Sequence, residues 1–256
     1  MTAQAAFTEF LAPPEWRTVD LLSDLHLHPA EPETLLAWRQ YLQTSPADAL
    51  FILGDLFEVW VGDDAASEPG FEADCAVWLK EAAARRPIFF MAGNRDFLLG
   101  QGFAAQAGIQ RVPDPLVLVL HGRRWLLSHG DLLCLEDHEY LAFRAQVRSP
   151  EWQQDFLARP LQERRALARH MRTQSESRKA DPRAVWADVD ADAAVAWLRS
   201  ARAQTLVHGH THKPGRHDLS DGMERLVLSD WDVAASPPRA QVLCLTAAGA
   251  QRVDLR

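Results

Sequence analysis

Carboxylate, imidazole and amide side chains recur in this sequence at the ends of short apolar runs, and these residue types bind divalent cations. The candidate ligands are Asp24, His26, Asp55, Asn94, His129, His208 and His210. Oxygen and nitrogen donors without a thiolate suit Mn²⁺, Fe²⁺ or Zn²⁺. Seven ligands are too many for one ion that keeps an open position, but they are enough for two ions that share a carboxylate. Two such ions, roughly 3.5 to 4 Å apart, can catalyse hydrolysis of a phosphate ester or anhydride.

The histidines at 208 and 210 form the strongest single part of this pattern. Side chains two residues apart in an extended segment point to the same side, so these two imidazoles are expected to chelate together. A lone histidine at a strand end is more often structural, and Gly54-Asp55 alone is equally typical of a turn aspartate. The recurrence of such residues at five strand ends is what indicates one shared crevice.

The elements that must position these residues alternate in the first hundred residues. Predicted strands cover 18–22, 50–53 and 87–91, and predicted helices cover 31–42 and 71–86. Strands that alternate with helices predict parallel pairing and right-handed crossovers in an α/β domain.

The second half of the chain predicts a different arrangement. A hairpin at 116–120 and 124–128 is followed by predicted helices at 136–148 and 152–179, interrupted by Pro150 and Pro160, and at 192–202. Predicted strands at 205–207, 226–229, 241–246 and 251–255 complete a second sheet, which we expect to be more antiparallel.

Charge is distributed unevenly along the chain. The formal net charge is −8, yet residues 144–183 contain ten basic and five acidic residues, a local charge of +5 against −13 elsewhere. An acidic body argues against a nucleic-acid partner. The basic segment suggests an anionic ligand or an anionic membrane face, although a solvated helix surface has the same composition.

Three cysteines, Cys75, Cys134 and Cys244, are widely spaced and predict free thiols in a reducing compartment. The sequence has no signal-peptide pattern at its start and no apolar run long enough to span a bilayer. At 256 residues, we expect one large α/β domain, with or without an inserted cap.

Five blocks of the sequence resemble those of the calcineurin-like metallophosphoesterase superfamily over about residues 20–232. The superfamily blocks are Asp-x-His, Gly-Asp, Gly-Asn, a histidine and Gly-His-x-His. Their counterparts here lie at 24–26, 54–55, 93–94, 129 and 208–212. The longer blocks 23–27, 54–64, 93–99, 129–134 and 208–214, with Asp137 and Tyr140, resemble one branch, the UDP-2,3-diacylglucosamine diphosphatases (hydrolases) of lipid A biosynthesis.

The resemblance implies a four-layer α-β-β-α sandwich, one domain over residues 1–256, with a helical insertion at 136–190 that caps the substrate. It implies an Mn²⁺-dependent enzyme that releases UMP and 2,3-diacylglucosamine 1-phosphate (lipid X) through attack of activated hydroxide on the α-phosphorus. It also implies a cytoplasmic protein, peripheral on the inner membrane. We expect a monomer.

The resemblance further implies two ligand sets that share Asp55. One ion is expected on Asp24, His26, Asp55 and His210, and the second on Asp55, Asn94, His129 and His208. The implied substrate contacts are Asn94, Arg95, Asp137, Tyr140, Ser175, Lys179 and His208. His28 and His212 are expected to support the ligands or to face solvent, and Asp131 to orient a ligand imidazole.

The insertion departs from the enterobacterial form of this branch at Lys179 and Pro182, so that Arg178 or Arg183 could take the place of Lys179. An acyl-chain groove is expected along Trp152, Phe156, Leu157, Leu161, Leu167 and Met171. Two other functions stay open: a soluble phosphodiesterase or dinucleotide polyphosphatase, and a catalytically silent scaffold. The scaffold is disfavoured because all seven ligands are present.

Overall fold

Two six-stranded sheets with helices on their outer faces form the protein. The structure, a computed structural model, describes residues 7–179 and 187–255, and for residues 171–179 it describes the backbone alone. The helices are α1 Pro32–Thr44, α2 Phe71–Ala83, α3 Gln101–Ala107, α4 His138–Val147, α5 Pro150–Leu157, α6 Leu161–Lys179 and α7 Ala191–Ala201. The strands are β1 Thr8–Leu11, β2 Val19–Leu22, β3 Ala49–Leu53, β4 Ile88–Met91, β5 Gln110–Val112, β6 Leu116–Leu120, β7 Arg123–Leu127, β8 Thr205–His208, β9 Gly215–Asp218, β10 Glu224–Val227, β11 Gln241–Thr246 and β12 Gly249–Asp254.

Both sheets contain parallel and antiparallel pairs. The first has the order β12-β11-β2-β3-β4-β5, and β2, β3, β4 and β5 pair in parallel. The second has the order β1-β6-β7-β8-β10-β9, in which β7, β8 and β10 pair in parallel. The carboxyl ends of β2, β3 and β4, and of β7 and β8, therefore lead into the loops that contain the candidate ligands.

Strand residues alternate between two buried faces, which explains why these short strands are continuously apolar. Leu21 and Phe51 pack between the two sheets, whereas Leu22 and Ile52 pack under α1, α2 and α3. The outer face of the second sheet is covered by α7. This layering confirms the α-β-β-α sandwich.

The insertion begins with two capped helices. The Asp137 carboxylate accepts a hydrogen bond from the Tyr140 amide, and the Ser149 hydroxyl accepts one from the Trp152 amide. These caps satisfy amide groups that have no partner inside the helix. The predicted helix over 152–179 is divided at Pro160 into α5 and α6, since proline cannot donate the helical hydrogen bond.

The expected pairing of the later strands was wrong in two respects. β11 pairs with β2, so β11 and β12 extend the first sheet rather than the second. The second sheet is also less antiparallel than expected, because β1 joins β6 in parallel and β7, β8 and β10 pair in parallel.

Sequence patterns missed three edge strands and one short helix. β1, β5 and β9 lie at sheet edges with exposed positions, so their sequences lack a strong apolar pattern. α3 is short and contains a glycine, which weakens its helical signal. Within the described residues, no helix has the length and apolar character needed to cross a membrane.

Candidate metal centre

Loops at one edge of both sheets bring the candidate ligands together. Asp24 and His26 follow β2, Asp55 follows β3, Asn94 follows β4, His129 follows β7, and His210 and His212 follow β8. Side chains at this edge converge because the strands beneath them fix each loop.

Backbone strain concentrates in these loops. Five non-glycine residues of the cluster have positive φ: Asp24, His26, Asp55, His210 and His212. Such conformations cost free energy and are characteristic of functional sites that the surrounding fold holds in place. Glycines permit the close approach of the loops: a Cβ atom at Gly93 would overlap the Asp55 carboxylate, and one at Gly209 would overlap the Asp24 carboxylate.

The first half of the cluster contains Asp24, His26 and His212, whose donor atoms all lie within 4.8 Å of one another. Nε2 of His26 is 3.3 Å from Nε2 of His212, which is 3.5 Å from Oδ1 of Asp24. Nε2 of His26 also lies 3.9 Å from Oδ2 of Asp55.

The second half of the cluster surrounds the other carboxylate oxygen of Asp55. Oδ1 of Asp55 lies 3.7 Å from Nε2 of His129. Oδ1 of Asn94 lies 2.9 Å from Nε2 of His129 and 2.8 Å from Nδ1 of His210. Asp55 therefore presents one oxygen to each half, which is the arrangement expected of a bridging carboxylate.

The donor set fits a pair of divalent cations. Asp24 and Asp55 are almost completely buried beside each other, with 0% and 2% of their surface exposed. Two adjacent buried carboxylates are costly unless positive charge compensates them. The donors are oxygen and nitrogen atoms, which suit borderline-hard divalent ions.

The pKa of His129 reflects the nearby carboxylates, whereas that of His210 reflects burial and a neighbouring imidazole. Burial lowers the pKa of His129, but Asp55, Asp131 and Asp24 outweigh it and raise that pKa to about 9. Burial and the neighbouring His129 lower the pKa of His210 to about 4.

His208 lies outside the cluster, which corrects its assignment as a ligand. The ring is buried, its Nδ1 donates to the Gly209 carbonyl at 2.8 Å, and its Nε2 lies 3.4 Å from Nη1 of Arg225. Arg225 also binds Asp188, at 2.8 Å. The side chain of His208 still follows the alternation of β8, whereas the turn at Gly209 redirects the chain.

The histidine that takes this place is His212, which we had expected to support the ligands or face solvent. The Gly-His-x-His block contains the signal: aligned on Gly209, its two histidines are 210 and 212. Spacing alone could not decide, since His208 and His210 are also two residues apart. The backbone distinguishes the pair His210 and His212 from the pair His208 and His210. His210 and His212 both have a left-handed backbone conformation, whereas His208 does not.

Asp96 connects two of the ligand loops, a role that the sequence analysis did not predict. Its buried carboxylate accepts hydrogen bonds from the amides of Gly93 and Leu56, at 2.8 and 2.7 Å. Burial and the neighbouring Asp55 raise the pKa of Asp96 to about 7. These contacts fix the loop of Asn94 against the loop of Asp55.

Arg95, which the resemblance implies as a substrate contact, lies beside the cluster. Its amide donates to Oδ1 of Asp55 at 2.8 Å, and its Nη1 lies 3.5 Å from Oε1 of Glu58. Its Nε is buried and has no hydrogen-bond partner among the described residues. A guanidinium next to this cluster of candidate ligands is suited to bind an anion.

Tyr140 lies next to the cluster through its ring, which is 5.8 Å from the ring of His210. Its hydroxyl donates to Asp131, and Nε of Arg144 lies 2.7 Å from the same carboxylate. Burial raises the pKa of Asp131, but His129 and Arg144 outweigh it and lower that pKa below its usual range. Asp137 occupies the cap of α4 behind Tyr140.

The side chains of Ser175 and Lys179, which were expected to contact substrate, lie outside the described part of the structure, since only the backbone of α6 is described there. The same holds for the side chains of Arg178 and of Met171 of the acyl groove, and Arg183 lies outside the described residues. Phe156, by contrast, is buried in the main core, so its assignment to the groove was wrong.

Comparison with known proteins agrees with this geometry. The family model described as calcineurin-like phosphoesterase matches residues 17–214. The UDP-2,3-diacylglucosamine hydrolase of Chromobacterium violaceum is 46% identical over 83% of this chain and 90% of its own length. That of Bordetella pertussis is 43% identical over 92% of this chain and 94% of its own length.

Among solved structures, Vacuolar Protein Sorting 29 from Cryptosporidium parvum aligns with a TM-score of 0.45 and 15% identity, covering 94% of this chain and 92% of that one. The family match and the two enzymes together confirm the resemblance that the sequence blocks indicated. The chain belongs to the calcineurin-like phosphoesterase family, in the branch of the UDP-2,3-diacylglucosamine hydrolases.

Proposed function

We propose that this protein hydrolyses the pyrophosphate bond of UDP-2,3-diacylglucosamine and releases UMP and 2,3-diacylglucosamine 1-phosphate, a step of lipid A biosynthesis. The observation that carries the proposal is the convergence of carboxylate, imidazole and amide donors around Asp55, with Arg95 beside them. The substrate is inferred from the names of the relatives at 46% and 43% identity.

The proposed cofactor is a pair of Mn²⁺ ions, because the donors contain oxygen and nitrogen but no thiolate. One ion would be held by Asp24, His26, Asp55 and His212, and the other by Asp55, Asn94, His129 and His210. When bound, such a pair supplies the positive charge that makes a hydroxide nucleophile available near neutral pH and neutralises phosphoryl oxygens. The protein contributes the rigid loops that present the ligands.

Arg95 is proposed to bind the pyrophosphate of the substrate. Its amide is held by Asp55, so the base of the side chain is fixed next to the cluster, and its buried Nε has no hydrogen-bond partner among the described residues. Charge-assisted hydrogen bonds from a planar guanidinium both orient a phosphate and stabilise charge that develops on it.

Tyr140 and Asp137 are proposed to contact the glucosamine. The ring of Tyr140 packs near His210, and the Asp131–Arg144 pair holds its hydroxyl in place. Ser175 and Lys179 of α6 remain proposed contacts at the insertion.

The insertion, residues 136–190, is proposed to cap the site and to bind the cytoplasmic face of the inner membrane. The protein is proposed to be a monomer. Phe143, Leu157 and Leu167 of the insertion are exposed apolar side chains, at 41%, 41% and 37%. Apolar side chains within a basic segment suit both fatty acyl chains and anionic headgroups.

The test is hydrolysis of UDP-2,3-diacylglucosamine by the purified chain with Mn²⁺, followed by mass spectrometry of the products. UMP and the sugar 1-phosphate are expected, and in H₂¹⁸O the label should enter UMP if the α-phosphorus is attacked. Cyclic nucleotides and dinucleoside polyphosphates are assayed in parallel. Faster turnover of those soluble substrates, or label in the lipid product, would contradict the proposal.

A further inference from the structure

The carboxylate of Glu58 contacts two side chains of the candidate site at once. Its Oε2 lies 2.8 Å from Nδ1 of His26, and its Oε1 lies 3.5 Å from Nη1 of Arg95. Glu58 is only 12% exposed at its side chain, so both contacts are largely shielded from solvent. The sequence leaves open whether Glu58 is a simple loop acid or, as the resemblance of the block 54–64 implies, a residue that shapes the site.

Backbone hydrogen bonds hold Glu58 in this position. The Leu27 amide donates to the Leu56 carbonyl at 2.9 Å, and the Glu58 amide donates to the Leu27 carbonyl at 3.2 Å. The Trp60 amide donates to the Arg95 carbonyl at 3.0 Å. The loops of His26, Glu58 and Arg95 are therefore fixed against one another before any ligand binds.

The two ring nitrogens of His26 have different surroundings. Nε2 faces the cluster, 3.3 Å from Nε2 of His212, whereas Nδ1 faces Glu58. A carboxylate next to Nδ1 favours the tautomer with its proton on Nδ1. That tautomer leaves the lone pair of Nε2 directed into the cluster, and a carboxylate in this position also fixes the orientation of the ring.

Only one part of the Arg95 guanidinium is restrained by a neighbouring side chain. Nη1 faces Glu58, while the buried Nε has no partner among the described residues. One edge is thus restrained, while the other contains a donor without a partner among the described residues. A restrained guanidinium loses less conformational entropy when it binds a phosphate.

We propose that Glu58 is a positioning residue that holds His26 for cation binding and Arg95 for phosphate binding. The two binding events then depend on a single carboxylate. The cation half stands by itself, whereas the phosphate half rests on the proposed function.

The cation half is tested by calorimetric titration of Mn²⁺ into the metal-free protein. Glu58→Ala is expected to weaken binding by about 10- to 100-fold, the usual cost of removing a group that orients a histidine ligand. Glu58→Gln retains the side-chain volume and one acceptor, so it should weaken Mn²⁺ binding less than Glu58→Ala does. Glu68→Gln, an exposed acid of the next loop, removes the same charge and should bind Mn²⁺ as the wild type does.

The phosphate half is tested by kinetics at saturating Mn²⁺. Glu58→Gln is expected to raise KM in the same direction as Arg95→Ala, and the double variant should be no worse than Arg95→Ala alone. Effects that multiply in the double variant would overturn this half, since independent residues give additive free energies. Circular dichroism melts of every variant check folding.

The outcomes separate this proposal from the proposed function. If the wild type does not hydrolyse the acylated nucleotide, the Mn²⁺ titration still measures the contact with His26, and UMP binding to the Mn²⁺-loaded protein measures the contact with Arg95. Wild-type Mn²⁺ affinity in both Glu58→Ala and Glu58→Gln would overturn the cation half. Unchanged UMP affinity in Glu58→Gln would overturn the phosphate half.

Discussion

The Nε2 atoms of His26 and His212 lie 3.3 Å apart, although 186 residues separate the two histidines along the chain. One ring belongs to the loop after β2 in the first sheet, and the other to the loop after β8 in the second. Both rings lie beside the buried Asp24 carboxylate. Two imidazole nitrogens that converge next to a carboxylate form a cation site, and this contact joins the two sheets at their functional edge.

The first prediction separates His212 from His208. His212→Ala should weaken Mn²⁺ binding and lower kcat by at least about 100-fold, because it removes a ligand rather than a group behind one. His208→Gln should cost less than about tenfold, since its ring contacts Gly209 and Arg225 instead of the cluster. Metal content by mass spectrometry and steady-state kinetics measure both effects. The reverse order would restore the assignment of His208.

Much of the site could be predicted from sequence because residue types at strand ends indicate chemistry directly. The prediction for Asp55 and Asn94 needed only an apolar strand followed by a turn, and the structure places both side chains in the cluster. The choice between His208 and His212 could not be made from spacing; it follows from aligning the Gly-His-x-His block on Gly209, and the backbone after Gly209 shows the physical reason. A period-2 pattern holds only while the chain stays extended, and β8 ends at His208.

Contacts between loops could not be predicted in the same way. Glu58 and Asp96 act through partners far away in sequence, and no local pattern reveals them. The pairing of β11 with β2 has the same cause, since its register depends on the whole first sheet. The edge strand β9 is polar, so the sequence alone favoured a loop there.

The second prediction concerns metal removal. A chelator should lower the melting temperature, since Asp24 and Asp55 are buried side by side and lose their compensating charge. Mn²⁺ at 100 times its Kd should add about 2.7 kcal/mol to the free energy of unfolding for each site. Asp55→Asn preserves the shape but not the charge, so most of this Mn²⁺-dependent gain should vanish. Differential scanning fluorimetry measures the shift, and an equal gain in Asp55→Asn would contradict the bridging role.

The third prediction concerns Arg95. Arg95→Ala should lower kcat/KM by roughly 10- to 100-fold, which corresponds to about 1.5–3 kcal/mol for a hydrogen bond to a charged group. Arg95→Lys should restore little, because an ammonium cannot reproduce the planar donor pair. Arg111→Ala, an exposed arginine on β5, provides the control for a loss of charge. Mn²⁺ affinity should stay at the wild-type value in Arg95→Ala, and a parallel loss of metal would place Arg95 in the metal site instead.

The last prediction concerns the contact that joins the insertion to the catalytic body. Arg164 of α6 is buried, and it donates to the Val61 carbonyl and to both carboxylate oxygens of Asp64. Arg164→Ala should lower the free energy of unfolding by about 1.5–3 kcal/mol. Arg165→Ala removes a more exposed pair with Glu72 at 3.4 Å and should cost at most about 1 kcal/mol. Urea denaturation measures both variants.

The pH dependence of this effect has a defined sign. Arg164 lowers the pKa of Asp64 in the folded protein, although partial burial opposes it. The stabilisation is therefore present above the unfolded pKa of about 3.9 and is lost as the pH falls toward the lowered folded value. The difference in stability between wild type and Arg164→Ala should be constant from about pH 5.5 to 8 and shrink below about pH 4.

If the insertion binds the acyl chains, KM for the diacylated substrate should also rise in Arg164→Ala and not in Arg165→Ala. If Arg164→Ala loses stability as expected but keeps the wild-type KM, the insertion does not bind the acyl chains.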